Sequence, residues 1–176
     1  VVFARDFNLY KMAREDYEKL KDNAMKNEKK KVEEKKMDST IVETQLTTFG
    51  QKFFGFGMPY SYLNTDTLDN GKRKREYVMW SPDSKHFAVQ LEDNRKVKEL
   101  WVVNSMANPR PTLETYKYEM PGDKDIPQVH LYVFDVDANT YKEVNTAAFK
   151  DQSLSIGYKP RKQTDRDRHE IPYIWL

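Results

Sequence analysis

Three kinds of side chain in this sequence could do chemistry: paired aspartates, scattered histidines and a short basic run. Asp135 and Asp137 in "FDVDAN" could serve as acid and base, the work that paired carboxyls do when one holds a proton and the other does not. They stand where a strand runs into a turn, however, and there Asp tends to bond its own backbone. Asp83 in "SPDS" is expected to shape a turn in the same way. His86, His130 and His169 stand far apart, with no His-x-x-x-His pair to hold zinc on one helix face, and His130 is expected to face outward from a strand. The basic run at residues 72–75, "KRKR", is flanked by Asp66, Asp69 and Glu76. These acids cut the field that phosphate binding requires, so no nucleic-acid partner is expected. There is no Gly-x-Ser-x-Gly elbow and no P-loop, and "GFGMPY" lacks the third glycine of a dinucleotide site. Residue chemistry alone gives no catalytic residue, no metal ligand and no cofactor.

The elements that would position these groups read as β structure. The chain has 176 residues, with 38% hydrophobic and 33% charged residues. Its apolar content leans on 11 Tyr, 9 Phe and 3 Trp, which suit half-buried sheet surfaces. A net charge of +2 offers no global field to attract an anionic partner. With no cysteine, disulfides and thiolate chemistry are excluded, and the redox compartment stays open. No apolar run reaches the roughly 18 residues needed to span a bilayer as a helix. The chain opens on Val1 within a strand-like run and stops on "EIPYIWL", so both ends are expected to be cuts through a longer protein.

Along the chain, residues 1–12 predict two short strands joined by a turn. Residues 13–37 differ in kind: no Gly, no Pro, and Lys and Glu throughout. A surface helix is predicted over residues 13–26, with Tyr17, Leu20 and Ala24 at helical spacing and Glu15–Lys19 and Asp22–Lys26 as i, i+4 pairs. "STIVETQLTTFG" alternates as a strand, and residues 53–70 predict a loop rich in Gly, Tyr and Phe. Residues 77–104 predict a compact three-strand meander, with Trp80 and Phe87 in its core and Pro82 and Asp83 in its first turn. Four prolines then confine residues 105–128 to edges and loops, and "VHLYVFDVDANTYKEV" predicts a hairpin. "NLYKM", "ELWVV" and "HLYVF" form a weak repeat. Meanders recurring at about twice the 40 to 45 residues of one propeller blade favour a propeller over a sandwich.

These segments, in this order, resemble a known family. "WSPDSKHFAV", "ELWVVN", "NPRPTLETYKYEMPG" and "VHLYVFDV" are similar to the N-terminal β-propeller domain of the dipeptidyl peptidase IV branch of the prolyl oligopeptidase family. "VVFARDFNLYKM" resembles a preceding blade, and the Lys/Glu run at residues 13–37 an insertion. The resemblance implies an all-β fold: about two blades and parts of their neighbours, with residues 1–176 a fragment of that domain. It implies a parent serine exopeptidase that cleaves short peptides after proline or similar residues. The partners would be a peptide substrate and a C-terminal α/β-hydrolase domain of the same parent chain, which would carry the triad. The propeller would gate access and hold the substrate's amino end. It also implies a place outside the cytoplasm: periplasmic, secreted or membrane-attached.

In the family a Glu-Glu pair before the Trp-Ser-Pro strand binds the substrate amine. The corresponding residues 53–74 have no such pair, and Glu33–Glu34 lies in the insertion instead. Asp66 and Asp69 are the acids available by position, and Tyr60 and Tyr62 could line the same cavity. Unpaired sheet edges in such a piece make a homo-oligomer an expected partner. The alternative reading is a stand-alone propeller scaffold that binds other proteins.

Overall fold

The computed structural model describes residues 1–27, 40–57, 71–152 and 154. The first two strands, β1 (Val2–Arg5) and β2 (Asn8–Met12), form the expected hairpin. The connection turns through Asp6 and Phe7, both at positive φ. Then α1 (Arg14–Asn27) and β3 (Glu43–Gln45) follow. With β5 (Lys74–Arg75) they complete a four-stranded antiparallel sheet in the order β3-β2-β1-β5.

The helix lies where its polarity and spacing predicted it; its described ion pairs are spaced i, i+3, and the expected Asp22–Lys26 pair falls outside the described side chains. Lys19 reaches Asp16 at 2.9 Å and Lys21 reaches Glu18 at 3.1 Å. Asp16 is buried and also accepts the Val42 N–H at 3.2 Å. That bond ties the helix to the chain entering β3 and fixes Asp16 as an acid for Lys19. Tyr17 is exposed, as a surface helix implies.

The second sheet contains β4 (Phe54–Gly55), β6 (Val78–Trp80), β7 (His86–Asp93), β10 (Gln128–Asp135) and β11 (Thr140–Val144). Its central strand is β7. One edge of β7 pairs with β10 along all eight residues, from His86↔Asp135 to Asp93↔Gln128. The other edge is shared, with β6 at Phe87–Val89 and β4 at Glu92–Asp93.

Alternation along these strands puts Phe87, Val89 and Leu91 on the same face as Tyr132 and Phe134. That face packs onto Val2, Ala4 and Leu9 of the first sheet, with Leu46 and Phe56 between, as one core. Lys11, on the core side of β2 opposite Val2, donates its ammonium to the Val136 carbonyl beyond β10 and so bridges the two sheets. The architecture is all-β: two stacked antiparallel sheets and a two-stranded ribbon, with one helix, an arrangement consistent with a partial β-propeller.

The three-strand meander is not what forms. The β6–β7 hairpin is present, but β8 (Glu99–Asn104) leaves the sheet and pairs with β9 (Thr112–Lys117) as a separate two-stranded ribbon. Two causes are visible. The break after β7 is pinned sideways: Asn94 donates its N–H to the Phe53 carbonyl at 2.7 Å, and Arg95 forks onto Asp93 at 2.6 and 2.8 Å. The edge β8 would have used is also taken by β10, which brings Phe134 flat against Phe87 at 4.9 Å. No residue of β8 is fully buried.

Trp80 corrects the reading in a smaller way. Its ring lies 5.1 Å from Phe87, yet the residue is 38% exposed, and of these two aromatics Phe87 alone is buried in the core. The turns behave as their residues suggest. Asp83 accepts from the Ser81 hydroxyl at 2.6 Å and the Lys85 N–H at 3.0 Å. Asp135 accepts from the N–H groups of Asp137 and Ala138 at 3.0 and 2.9 Å. Those bonds hold the Asp83 and Asp135 carboxyls below the usual range, the sign of acceptors committed to structure.

Candidate functional site

Tyr60, Tyr62, Asp66 and Asp69, the residues expected to meet substrate, lie outside the described residues. Both ends of their segment are described, and the way they are held is specific. Gly55, Phe56 and Gly57 run between the two sheets beside the β1–β2 turn, where the Phe56 N–H donates to the Phe7 carbonyl at 3.0 Å. A Cβ on Gly55 would stand 2.5 Å from the Phe7 Cβ and 2.8 Å from its carbonyl oxygen. Gly57 has φ +64°, and a Cβ there would meet that of Ala4 at 2.5 Å. Both positions therefore require glycine, the first for close approach and the second for backbone conformation as well.

On the far side, the Glu76 carboxyl closes the base. One oxygen accepts the Gly57 N–H at 2.5 Å and the other the Tyr77 N–H at 3.0 Å. This links the chain after β4 to the junction between β5 and β6, and so links the two sheets. Glu76 keeps some solvent contact as a residue, but burial of its carboxyl raises the pKa to about 7, with the Glu92 charge pushing the same way and the two N–H donors opposing. A carboxyl moves in this direction when it loses water and gains no cation.

Glu92 faces Gly55 across the β4–β7 pairing, and burial raises its pKa too. The Asn94 amide lies close enough to favour the charged form of Glu92. Asn94 is fully buried, and its side chain closes no hydrogen bond of normal geometry. Two carboxyls with raised pKa values thus flank the base of the segment. Sequence reasoning missed both. Glu76 ends a basic run and read as a solvated charge, and Glu92 sits in "LEDN", which read as a break between strands.

A second polar group lies at the open end of the second sheet. His130 shares the face of Tyr132 and Phe134 rather than pointing outward, because its strand is in register with Leu91 of β7. Its Nδ1 is 2.7 Å from Glu143 and its Nε2 is 3.9 Å from Asp93. Phe54 meets the imidazole edge-on at 5.9 Å. The two acids approach opposite ring nitrogens, so they do not form a chelating set. Among the described residues, no cluster of three or more His, Asp or Glu side chains is arranged to hold a metal ion.

Comparison with known proteins gives this scaffold its family. No curated protein matches the chain. Among solved structures it is similar to that of Porphyromonas gingivalis dipeptidyl peptidase 4, at 24% identity over 89% of this chain with a TM-score of 0.49. The chain spans 17% of that protein's length. The family model described as the dipeptidyl peptidase IV (DPP IV) N-terminal region matches residues 35–157. That match takes in β3 through β11, with the base of the 58–70 segment and the β8–β9 ribbon, and covers more than half of the sequence. The chain belongs to the dipeptidyl peptidase IV N-terminal region family.

Proposed function

We propose that this chain is the non-catalytic propeller portion of a larger serine exopeptidase that releases short units from peptides after proline or a similar residue. The observation that carries the reading is the family match across residues 35–157. In this reading residues 1–176 are one piece of the propeller and residues 13–37 an insertion within it. A C-terminal α/β-hydrolase domain of the parent chain carries the nucleophile and its base. The propeller restricts access and presents Asp66, Asp69, Tyr60 and Tyr62 to the substrate's amino end. A carboxylate opposite an ammonium group forms a charge-assisted hydrogen bond, which favours a free amino terminus over a blocked one. The assay is hydrolysis of an X-Pro chromogenic dipeptide, with free or blocked amino end, by the parent enzyme and by this chain alone.

The second partner we propose is another copy of the chain, at the β8–β9 ribbon. Trp101, Val103 and Leu113 share one face of it and are 69%, 65% and 62% exposed. A two-stranded ribbon is marginal alone, and an apolar face of this kind marks an interaction site. An antiparallel pairing of β8 with its own copy, centred on Val102, sets Trp101 beside Val103 on that face, with no like charges opposed. Sedimentation equilibrium should show dimers that Trp101→Glu converts to monomers. A monomeric wild type would remove the proposal.

A further inference from the structure

The second sheet has two faces, and the core shared with the first sheet accounts for one of them. Side chains alternate along a strand, so those between Phe87, Val89 and Leu91 of β7 point the other way. Across the β7–β10 register, Ala88 stands opposite Val133, Gln90 opposite Leu131 and Glu92 opposite Val129. Met79 of β6 joins them opposite Ala88, and Val144 of β11 opposite Leu131. Six apolar side chains from four strands thus line this outer face, and none belongs to the core between the sheets. Lys142 and Glu92 stand at its margins.

A sheet face of this polarity requires a second layer over it. Val129, Leu131 and Val133 are half-buried and Val144 is exposed. Gln90, at the centre of the face, shows what approaches it. Its side-chain amide donates to the Leu154 carbonyl, so the chain leaving the short 3₁₀ turn at Ala147–Phe149 returns over this face. On the way it is held at Asp151, whose carboxylate accepts from the Gln128 amide at 2.8 Å.

The chain beyond Leu154 has the composition to form that layer. Residues 159–170, "KPRKQTDRDRHE", are mostly charged and suit water, whereas residues 171–176, "IPYIWL", are β-branched, aromatic or aliphatic apart from one proline. The 16 residues from 155 to 170 reach at most about 55 Å when extended, roughly twice the length of an eight-residue strand such as β10. The apolar end can therefore come back to any part of the face.

We propose that residues 171–176 of this chain dock on the outer face of the second sheet, over Met79, Leu131 and Val133, with Leu154 as the fixed point from which they return. This docking is independent of the peptidase reading, since it needs no active centre and its test reads no activity.

Tryptophan fluorescence of the 176-residue chain tests it. Trp80→Phe with Trp101→Phe leaves Trp175, within the docking segment, as the sole tryptophan; both replaced rings are exposed. The expected result is acrylamide quenching about threefold weaker than in the denatured chain, as for a ring held against apolar side chains, and unchanged on dilution. Leu131→Glu in this background should restore quenching to the denatured level while the far-ultraviolet dichroism keeps its sheet signal. Ile174→Glu should do the same while changing no residue of the two sheets, and it decides the matter if Leu131→Glu does not fold. Trp175 quenched as freely as in the denatured chain would overturn the proposal, and so would protection that survives Ile174→Glu. Protection lost on dilution would also overturn it, assigning the face to a second copy of the chain.

Discussion

Phe134→Ala is expected to cost about 3–5 kcal/mol, the range for emptying a buried aromatic site in a core that cannot close over the gap. Phe134 is fully buried. Its ring stacks on Phe87 at 4.9 Å and 3°, meets Phe56 edge-on at 6.5 Å and lies 5.1 Å from Tyr141. These contacts join β7, β10 and β11 to the Phe56 segment that leads into residues 58–70. Most domains are stable by only about 5–15 kcal/mol, so the variant should lose a large share of its stability. Chemical denaturation with the midpoint read by tryptophan fluorescence checks the figure. A cost below about 1 kcal/mol would mean that the two sheets do not share the core described above.

Glu76 gives the second large effect, and it depends on pH. Its carboxyl has a pKa near 7 in the folded chain against an ordinary 4.5. Below pH 4.5 it is neutral in both states and has no effect on folding. Between 4.5 and 7 the unfolded chain releases the proton while the folded chain keeps it, so stability falls by about 1.4 kcal/mol per pH unit. Above 7 the loss levels off at about 3 kcal/mol, an order-of-magnitude figure.

Glu76→Gln cannot ionise, so this fall should largely disappear. Its amide oxygen can still accept one of the two N–H groups; losing the other costs about 1 kcal/mol. The variant should therefore be slightly weaker than wild type at pH 4.5 and more stable at pH 8. Glu92, whose pKa is also raised, leaves a smaller slope of the same sign in both proteins. Thermal melts from pH 4 to 9 give the comparison, and identical slopes would show that Glu76 is not the group responsible.

What the sequence could reveal follows from how local each feature is. The hairpins at residues 1–12 and 128–144 were legible because period-two alternation and the turn residues Asp6, Asp135 and Asn139 act within a few positions. The helix was legible because no competing β pattern exists there. The partner of β8 was not, since its run of four apolar residues, Leu100 to Val103, would suit any neighbouring strand. The choice lies with β10, which matches β7 over eight positions and brings Phe134 to Phe87 from 47 residues away in sequence.

The same holds for the site. Asp83 and Asp135 could be assigned to turns from their neighbours alone. Glu76 could not, because its burial depends on Gly57 passing under it from the other sheet. His130 turns inward through register, and a one-residue slip would have reversed it. The family was readable because the order of several segments is more specific than any one of them.

The central proposal is that this chain shapes access to a peptidase centre supplied by another part of its parent. Release of chromophore from an X-Pro dipeptide tests it most directly, measured for the parent enzyme and for the purified 176-residue chain side by side. The account predicts turnover by the parent with a free amino end, a large loss when that end is blocked, and none by the chain alone. Turnover by the chain alone, or a parent indifferent to the blocked amino end, would contradict it.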